Sequence, residues 1–169
     1  MWKIGLQIGR TGIRTEARPD ATDEIRVEIV RIQREILDIL GKALTIRVVD
    51  AGSCNGCELE MQALGNPYYN IEGLGIRFVA SPRHADLLLV SGPVSRHMAH
   101  ALRQAWEATP EPRLVVAVGD CGRDGGIFGR GHATLGGVSS VIPVDVEVPG
   151  CPPTPLHILR GILAAVRRE

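Results

Sequence analysis

Leu44-Thr-Ile-Arg-Val-Val49-Asp-Ala-Gly-Ser-Cys54-Asn-Gly-Cys57-Glu-Leu-Glu60-Met61 decides how the rest of this chain is read. Its first six residues are apolar and β-branched enough to form a buried strand. A glycine-bearing turn follows, with two cysteines at C-x2-C spacing before a short helix near Glu58–Leu64. The other two of the four cysteines stand in the same kind of place. Cys121 follows the apolar run Leu114–Val118, within Gly119-Asp120-Cys121-Gly122. Cys151 follows a strand expected around Val141–Val146, within Pro149-Gly150-Cys151-Pro152-Pro153.

Outward from this stretch the chain alternates strands and helices. Gly75–Ala80 and Asp86–Val90 read as the second and third strands. Ser95 is placed to cap a helix whose apolar stripe is Met98, Ala101, Leu102, Ala105 and Trp106. Thr154 is placed to cap the last helix, with Pro155 at the first position, where a missing N–H costs nothing. A continuous apolar strand such as Leu114–Val118 belongs to a parallel sheet covered on both faces. The expected fold class is therefore α/β: three layers around a mainly parallel sheet.

Residues 1–43 read as an N-terminal extension and 44–169 as one domain. Trp2, Ile4, Leu6 and Ile8 alternate like a short strand, interrupted by Gly5, Gly9 and Gly12. Thr22 is placed to cap a helix with Asp23 and Glu24 in its positive first turn. Ile25, Ile29, Ile32, Ile36 and Ile39 form an apolar stripe, and Gly41 ends the helix. The stripe serves packing on the chain's own domain or docking on a partner; its mixed charges favour a protein over anionic lipid.

Composition narrows the functional classes. The 169 residues carry 19 acids and 19 Lys or Arg, so there is no electrostatic footprint for nucleic acid. Aromatic residues make up 4%, too few for a base-stacking surface. The N-terminus lacks a signal-peptide pattern and no apolar run reaches membrane-span length, which points to the cytoplasm, where cysteine clusters serve metals or redox chemistry.

In α/β sheets, sites form beyond the carboxyl ends of the strands, so Cys54, Cys57, Cys121 and Cys151 are expected to meet there. Four thiolates are the ligand set of one iron–sulfur cluster, tuned by hydrogen bonds to sulfur. Gly52, Gly56, Gly119, Gly122, Gly125 and Gly126 are available for such bonds. Structural zinc is the alternative, but it usually shows two tight pairs, whereas 29 residues separate Cys121 from Cys151. A thioredoxin-like pair at Cys54 and Cys57 leaves the other two cysteines unexplained. His97 and His100 lie beside the apolar stripe of their helix, and His84, His132 and His157 are isolated. Glu58 and Glu60 are candidates for moving protons near the cluster, although acids are favoured at a helix start in any case. The Gly129–Gly137 stretch matches neither a P-loop nor a dinucleotide fingerprint. There is no signature of a general base, nucleophile or substrate pocket, so catalysis by this chain alone is not expected.

Four segments together resemble a known family: Val49–Glu60, Ala80-Ser-Pro-Arg83-His-Ala-Asp86, Pro143-Val-Asp145 and Val148-Pro-Gly-Cys151-Pro-Pro-Thr154. They are similar to the 20 kDa (B) subunit of complex I and to the small subunits of membrane-bound [NiFe] hydrogenases. The similarity runs from about Leu44 onward, with a short further match at Thr11–Glu16. The resemblance implies a flavodoxin-like fold holding one [4Fe–4S] cluster through Cys54, Cys57, Cys121 and Cys151. It also implies a place on the cytoplasmic side of a membrane complex. Complex I subunits have adjacent cysteines where this chain has C-x2-C, while Glu60 and Met61 align with the complex I acid and methionine. With no further cysteine-rich region in the sequence, this points to the energy-converting, formate hydrogenlyase-like hydrogenases. The implied partners are a large [NiFe] subunit, a ferredoxin-like iron–sulfur subunit and membrane-arm subunits. The alternatives are a quinone-reducing complex I-like assembly and, outside this class, a zinc-stabilised assembly protein.

Overall fold

Five apolar runs pair side by side: β1 (Leu44–Asp50), β2 (Ile76–Phe78), β3 (Leu87–Ser91), β4 (Leu114–Val118) and β5 (Val146–Val148). The computed structural model describes residues 9–10 and 22–167. The sheet order is β2-β1-β3-β4-β5, with every neighbouring pair parallel. From β1 the chain moves outward to β2, then crosses to β3 on the other side. This reversal makes the carboxyl ends of β1 and β3 the switch point where α/β sheets open a crevice. The helices are α1 (Thr22–Leu40), α2 (Gly56–Ala63), α3 (Met98–Ala108), α4 (Gly119–Asp124) and α5 (Pro155–Val166).

The strand pleat sends alternate side chains into two cores. Leu44, Ile46, Leu87, Leu89, Val116 and Val118 pack with Ile29, Ile32 and Ile36 of α1, Met61 of α2, and Ile158, Leu159 and Ile162 of α5. On the other face Val49, Leu88, Val90, Val115 and Ala117 pack with Leu102, Ala105 and Trp106 of α3. β3 and β4 are buried on both faces, which is why their sequences are unbroken apolar runs. The expected three-layer α/β architecture is observed.

The middle of the α1 stripe is spent within the chain: Ile29, Ile32 and Ile36 are buried, while Ile25 and Ile39 at its ends are exposed. Glu28 pairs with Arg160 at 2.6 Å, and Glu35 pairs with Arg167, so α1 is clasped to α5. Gly41 closes α1 with φ +63°, its N–H donating to the Leu37 carbonyl at 2.8 Å. The Trp2–Ile8 alternation and the Thr22 side chain lie outside the described residues.

Several expected boundaries move, each for a local reason. The fifth strand is Val146–Val148, not Val141–Val146, because Val138–Ser140 forms a 3-10 turn and Pro143 has no N–H for a ladder. α3 begins at Met98; Ser95 donates its N–H to the Ala51 carbonyl and still accepts the Met98 N–H on its side chain at 3.2 Å. Ala101 is exposed, and Ala99 packs against the second core instead. α2 starts at Gly56, ahead of Glu58, and β2 shrinks to three residues. The stretch after β4 expected as a glycine-rich turn is a helical turn, α4.

Two aspartates fix the amino end of the sheet. Asp86 Oδ2 accepts the Thr45 N–H at 3.0 Å and its hydroxyl at 2.6 Å, while Lys42 donates to Oδ1 at 2.6 Å. Burial pushes the Asp86 carboxyl up, but bonds from Lys42 and Thr45 outweigh that and hold it below the usual range. Asp145 accepts the Val115 N–H at 2.7 Å and donates its own N–H to the Val115 carbonyl at 2.9 Å.

Candidate metal centre

The carboxyl end of the sheet is built from turns that carry thiols. Asp50 at the tip of β1 accepts the N–H groups of Gly52 at 2.7 Å and Ser53 at 2.8 Å, an Asx-type turn that folds the chain back. Ser53 Oγ then accepts the Asn55 N–H at 3.0 Å, and Asn55 at φ +72° starts α2. This local chemistry leaves Cys54 exposed on the turn and buries Cys57 in the first turn of α2. Cys121 is half-buried in α4, and Cys151 is exposed in the turn after β5.

The four thiols come together. A cavity of ≈ 430 Å³ is lined by Cys54, Cys121 and Cys151 together with Asp120, Arg123 and Phe128. Cys57 lies beneath them, close enough for its thiol to be influenced by all three. Burial pushes the Cys57 thiol up to about 12, with Glu58 and the other three cysteines adding to the effect. Cys121 is also raised, first by burial and then by Cys151, Cys54, Asp120 and Asp124. Burial thus favours the protonated form of Cys57 and Cys121, and holding a metal requires giving those protons up.

Three of the six glycines expected at the site border sulfur. A Cβ on Gly119, whose φ is +83°, would lie 2.7 Å from Cys57 Sγ, and one on Gly126 would lie 2.9 Å from Cys121 Sγ. Gly56 is next to Cys54, at 3.6 Å by the same measure. At Gly52, Gly122 and Gly125 a Cβ would instead meet Ser95, the Val90 carbonyl and Gly129 respectively, so these glycines let the chain pack closely there. The bare backbone at Gly119 and Gly126 is the cradle expected where a bulky group sits against thiolates. Among the described residues, no group of three or more His, Cys, Asp or Glu side chains is arranged around a single metal ion. The donor set fits a multi-iron cluster, in which each iron takes one thiolate.

Glu58 is buried; its Oε1 accepts a hydrogen bond from Ser91 Oγ, and its Oε2 is buried without a partner among the described residues. Glu60 is half-buried on the same helix. All five histidines, His84, His97, His100, His132 and His157, are exposed. Sequence reasoning missed Asp50, Asp120 and the apolar rim formed by Ile127 and Phe128, exposed at 91% and 56%. For the aspartates a signal exists: each stands at a strand exit just ahead of a thiol-bearing turn, where Asp commonly accepts backbone N–H groups.

Residues 54–165 match the sequence profile of the family described as NADH ubiquinone oxidoreductase, 20 Kd subunit. The chain belongs to this family. Among its relatives, formate hydrogenlyase subunit 7 of Escherichia coli is 40% identical over 148 residues, covering 88% of this chain and 57% of that protein. The probable membrane-bound hydrogenase subunit mbhJ of Pyrococcus furiosus is 40% identical over 141 residues, covering 82% of this chain and 84% of that protein. A chain of the membrane-bound sulfane sulfur reductase, an archaeal respiratory membrane complex, superposes with a TM-score of 0.66 at 32% identity. That alignment covers 79% of this chain and 75% of its counterpart. The family resemblance read from the four sequence segments therefore holds. As a 20 kDa-subunit family member, the chain is a non-catalytic subunit of a complex I-like oxidoreductase. Among the described residues no helix is long and apolar enough to cross a membrane. With relatives in membrane-bound complexes, this agrees with peripheral membrane association.

Proposed function

We propose that this subunit carries one [4Fe–4S] cluster on Cys54, Cys57, Cys121 and Cys151 and transfers electrons in a membrane-bound, formate hydrogenlyase-like [NiFe] hydrogenase. The observation that carries the reading is the convergence of four thiols from three strand exits on one cradle with bare backbone at Gly119 and Gly126. When bound, such a cluster supplies one-electron chemistry. The chain's own residues do the rest. Cys57 and Met61 anchor the site to the core, the Asp50 turn presents Cys54, and the exposed Ile127 and Phe128 offer an apolar rim for a large subunit to close. That large subunit would hold the nickel–iron site, with a ferredoxin-like subunit and the membrane arm as further partners on the cytoplasmic side. Among the described residues of the extension, the outer side of α1, where Val27 is exposed, offers a surface for docking. Glu58, with one unpartnered buried oxygen, is the better placed of the two acids to exchange a proton; Glu60 has no such setting.

The C-x2-C spacing favours the hydrogenase over the second reading, a complex I-like subunit passing electrons to quinone. Elemental analysis of the natively co-purified complex tests both. The expected result is iron with stoichiometric nickel. Iron without nickel would transfer the reading to quinone reduction, and zinc without iron would end it.

A further inference from the structure

We propose that Asp120 is a positioning residue that locks the Cys121 helix to the Cys151 turn and so sets the shape of the thiol cradle. The inference rests on the cluster reading and deepens it. Asp120 makes a reciprocal pair of bonds across 30 residues of sequence. Its N–H donates to the Gly150 carbonyl at 2.9 Å, and its Oδ1 accepts the Gly150 N–H at 3.0 Å. Cys121 is the next residue after one partner and Cys151 the next after the other, so the pair fixes two thiol-bearing backbones directly.

The lock is braced. Arg123, one turn on in α4, reaches back to Asp120 Oδ1 at 3.4 Å and forward to Asp124 Oδ2 at 2.8 Å. Asp124 Oδ1 in turn accepts the Gly126 N–H at 2.8 Å. Gly126 is the residue whose bare backbone lies against Cys121 Sγ. One chain of hydrogen bonds and ion pairs thus runs from the Cys151 turn through Asp120, Arg123 and Asp124 to the wall beside Cys121. Asp50 and Ser53, by contrast, each shape the single loop they belong to, and the Ser91–Glu58 bond joins the end of β3 to the Cys57 helix rather than one thiol-bearing loop to another. Only a side chain that accepts from a second loop can hold two ligand loops at a set separation, and Asp120 does this. Residues that orient metal ligands in this way typically alter metal retention when removed.

The experiment measures the rate at which a chelator extracts metal from the intact co-purified complex, alongside the electron paramagnetic resonance spectrum of the reduced cluster. Asp120→Ala is expected to release iron about 10-fold faster or more, with a broadened spectrum. Asp120→Asn keeps an oxygen that accepts the Gly150 N–H, and is expected to restore near-wild-type release and spectrum despite losing the charge. Equal release from Asp120→Ala and wild type would overturn the proposal. So would Asp120→Asn behaving like Asp120→Ala, since the charge and not the bond would then matter. If Asp120→Ala fails to assemble, Asp120→Glu decides: it keeps the charge but displaces the carboxylate by one methylene. Accelerated release from it supports the lock and a wild-type rate refutes it. Zinc in the wild-type complex would sink the cluster reading, while the same release comparison, made with that metal, would still judge Asp120.

Discussion

Both ends of this sheet use aspartates to accept backbone N–H groups, yet to different effect. At the amino end, Asp86 and Asp145 reach neighbouring strands, Asp86 to Thr45 and Asp145 to Val115. Those bonds set the register of β1 with β3 and of β4 with β5. At the carboxyl end, Asp50 and Asp124 accept from residues two or three further along their own turns, and only Asp120 spans two loops. The amino end therefore holds strands, and the carboxyl end holds loops that hold thiols. Stability and site geometry are carried by the same chemistry in separate places, so substitutions should separate them.

The largest effect is expected at the thiols. Cys121→Ser should lose the cluster signal and reduce electron transfer to background, while far-ultraviolet circular dichroism remains that of the folded chain. Cys121 is half-buried beside a cavity and belongs to neither of the apolar cores. An intact cluster and full turnover in this variant would remove it from the ligand set.

The opposite pattern is expected at Asp86. Asp86→Ala leaves the Thr45 N–H and hydroxyl without their acceptor and should cost about 2–3 kcal/mol of stability, with iron per folded molecule unchanged. Its pH dependence is a second check. The Asp86 carboxyl is held below its ordinary 3.8, so its stabilisation is complete above that value and fades as the pH falls through the lower, folded value. Denaturant titrations of wild type and variant should converge in that acid range. Parallel curves down to the lowest pH would show that Asp86 contributes no ionised form worth having.

Gly119→Ala tests whether the two ends can be separated at the point where core and cradle meet. A methyl group there lies 2.7 Å from Cys57 Sγ, on backbone at φ +83°. The expected cost is about 1–2 kcal/mol from the conformation alone, with iron released faster as Cys57 is displaced. Loss of stability without any change in iron release would mean that Cys57 yields freely and is no fixed corner of the site.

How much of this could be read in the sequence follows the same division. β4 was legible to the residue, because double burial leaves an unbroken apolar run bounded by Arg113 and Gly119. The convergence of the four cysteines followed from their positions after strands. β5 was misplaced because Val141, Ile142 and Val144 pack into the second core from a turn, and burial alone does not distinguish a strand from a buried loop. The Asp120 bonds were out of reach for another reason: they join residues 30 apart whose meeting depends on the β4–β5 pairing, which no local pattern encodes. In α1, periodicity gave the stripe, but only the fold shows that Ile29, Ile32 and Ile36 are used inside and that Ile25 and Ile39 are not.

The smallest effect sharpens the account of the amino end itself. Asp86 has two kinds of partner: the Thr45 N–H and hydroxyl, and the ammonium of Lys42. Lys42 is 62% exposed, so water screens the pair and the flexible lysine loses side-chain freedom in making it. If the staple is mainly a set of neutral-donor bonds across the ladder, Lys42→Met should cost only about 0.5 kcal/mol, against the much larger loss in Asp86→Ala. The small Lys42 effect should also shrink further in 1 M salt, where a surface charge pair is screened within about 3 Å, while the Asp86→Ala effect persists. A Lys42→Met cost as large as that of Asp86→Ala would mean that the charge, not the hydrogen-bonded register, holds β1 to β3.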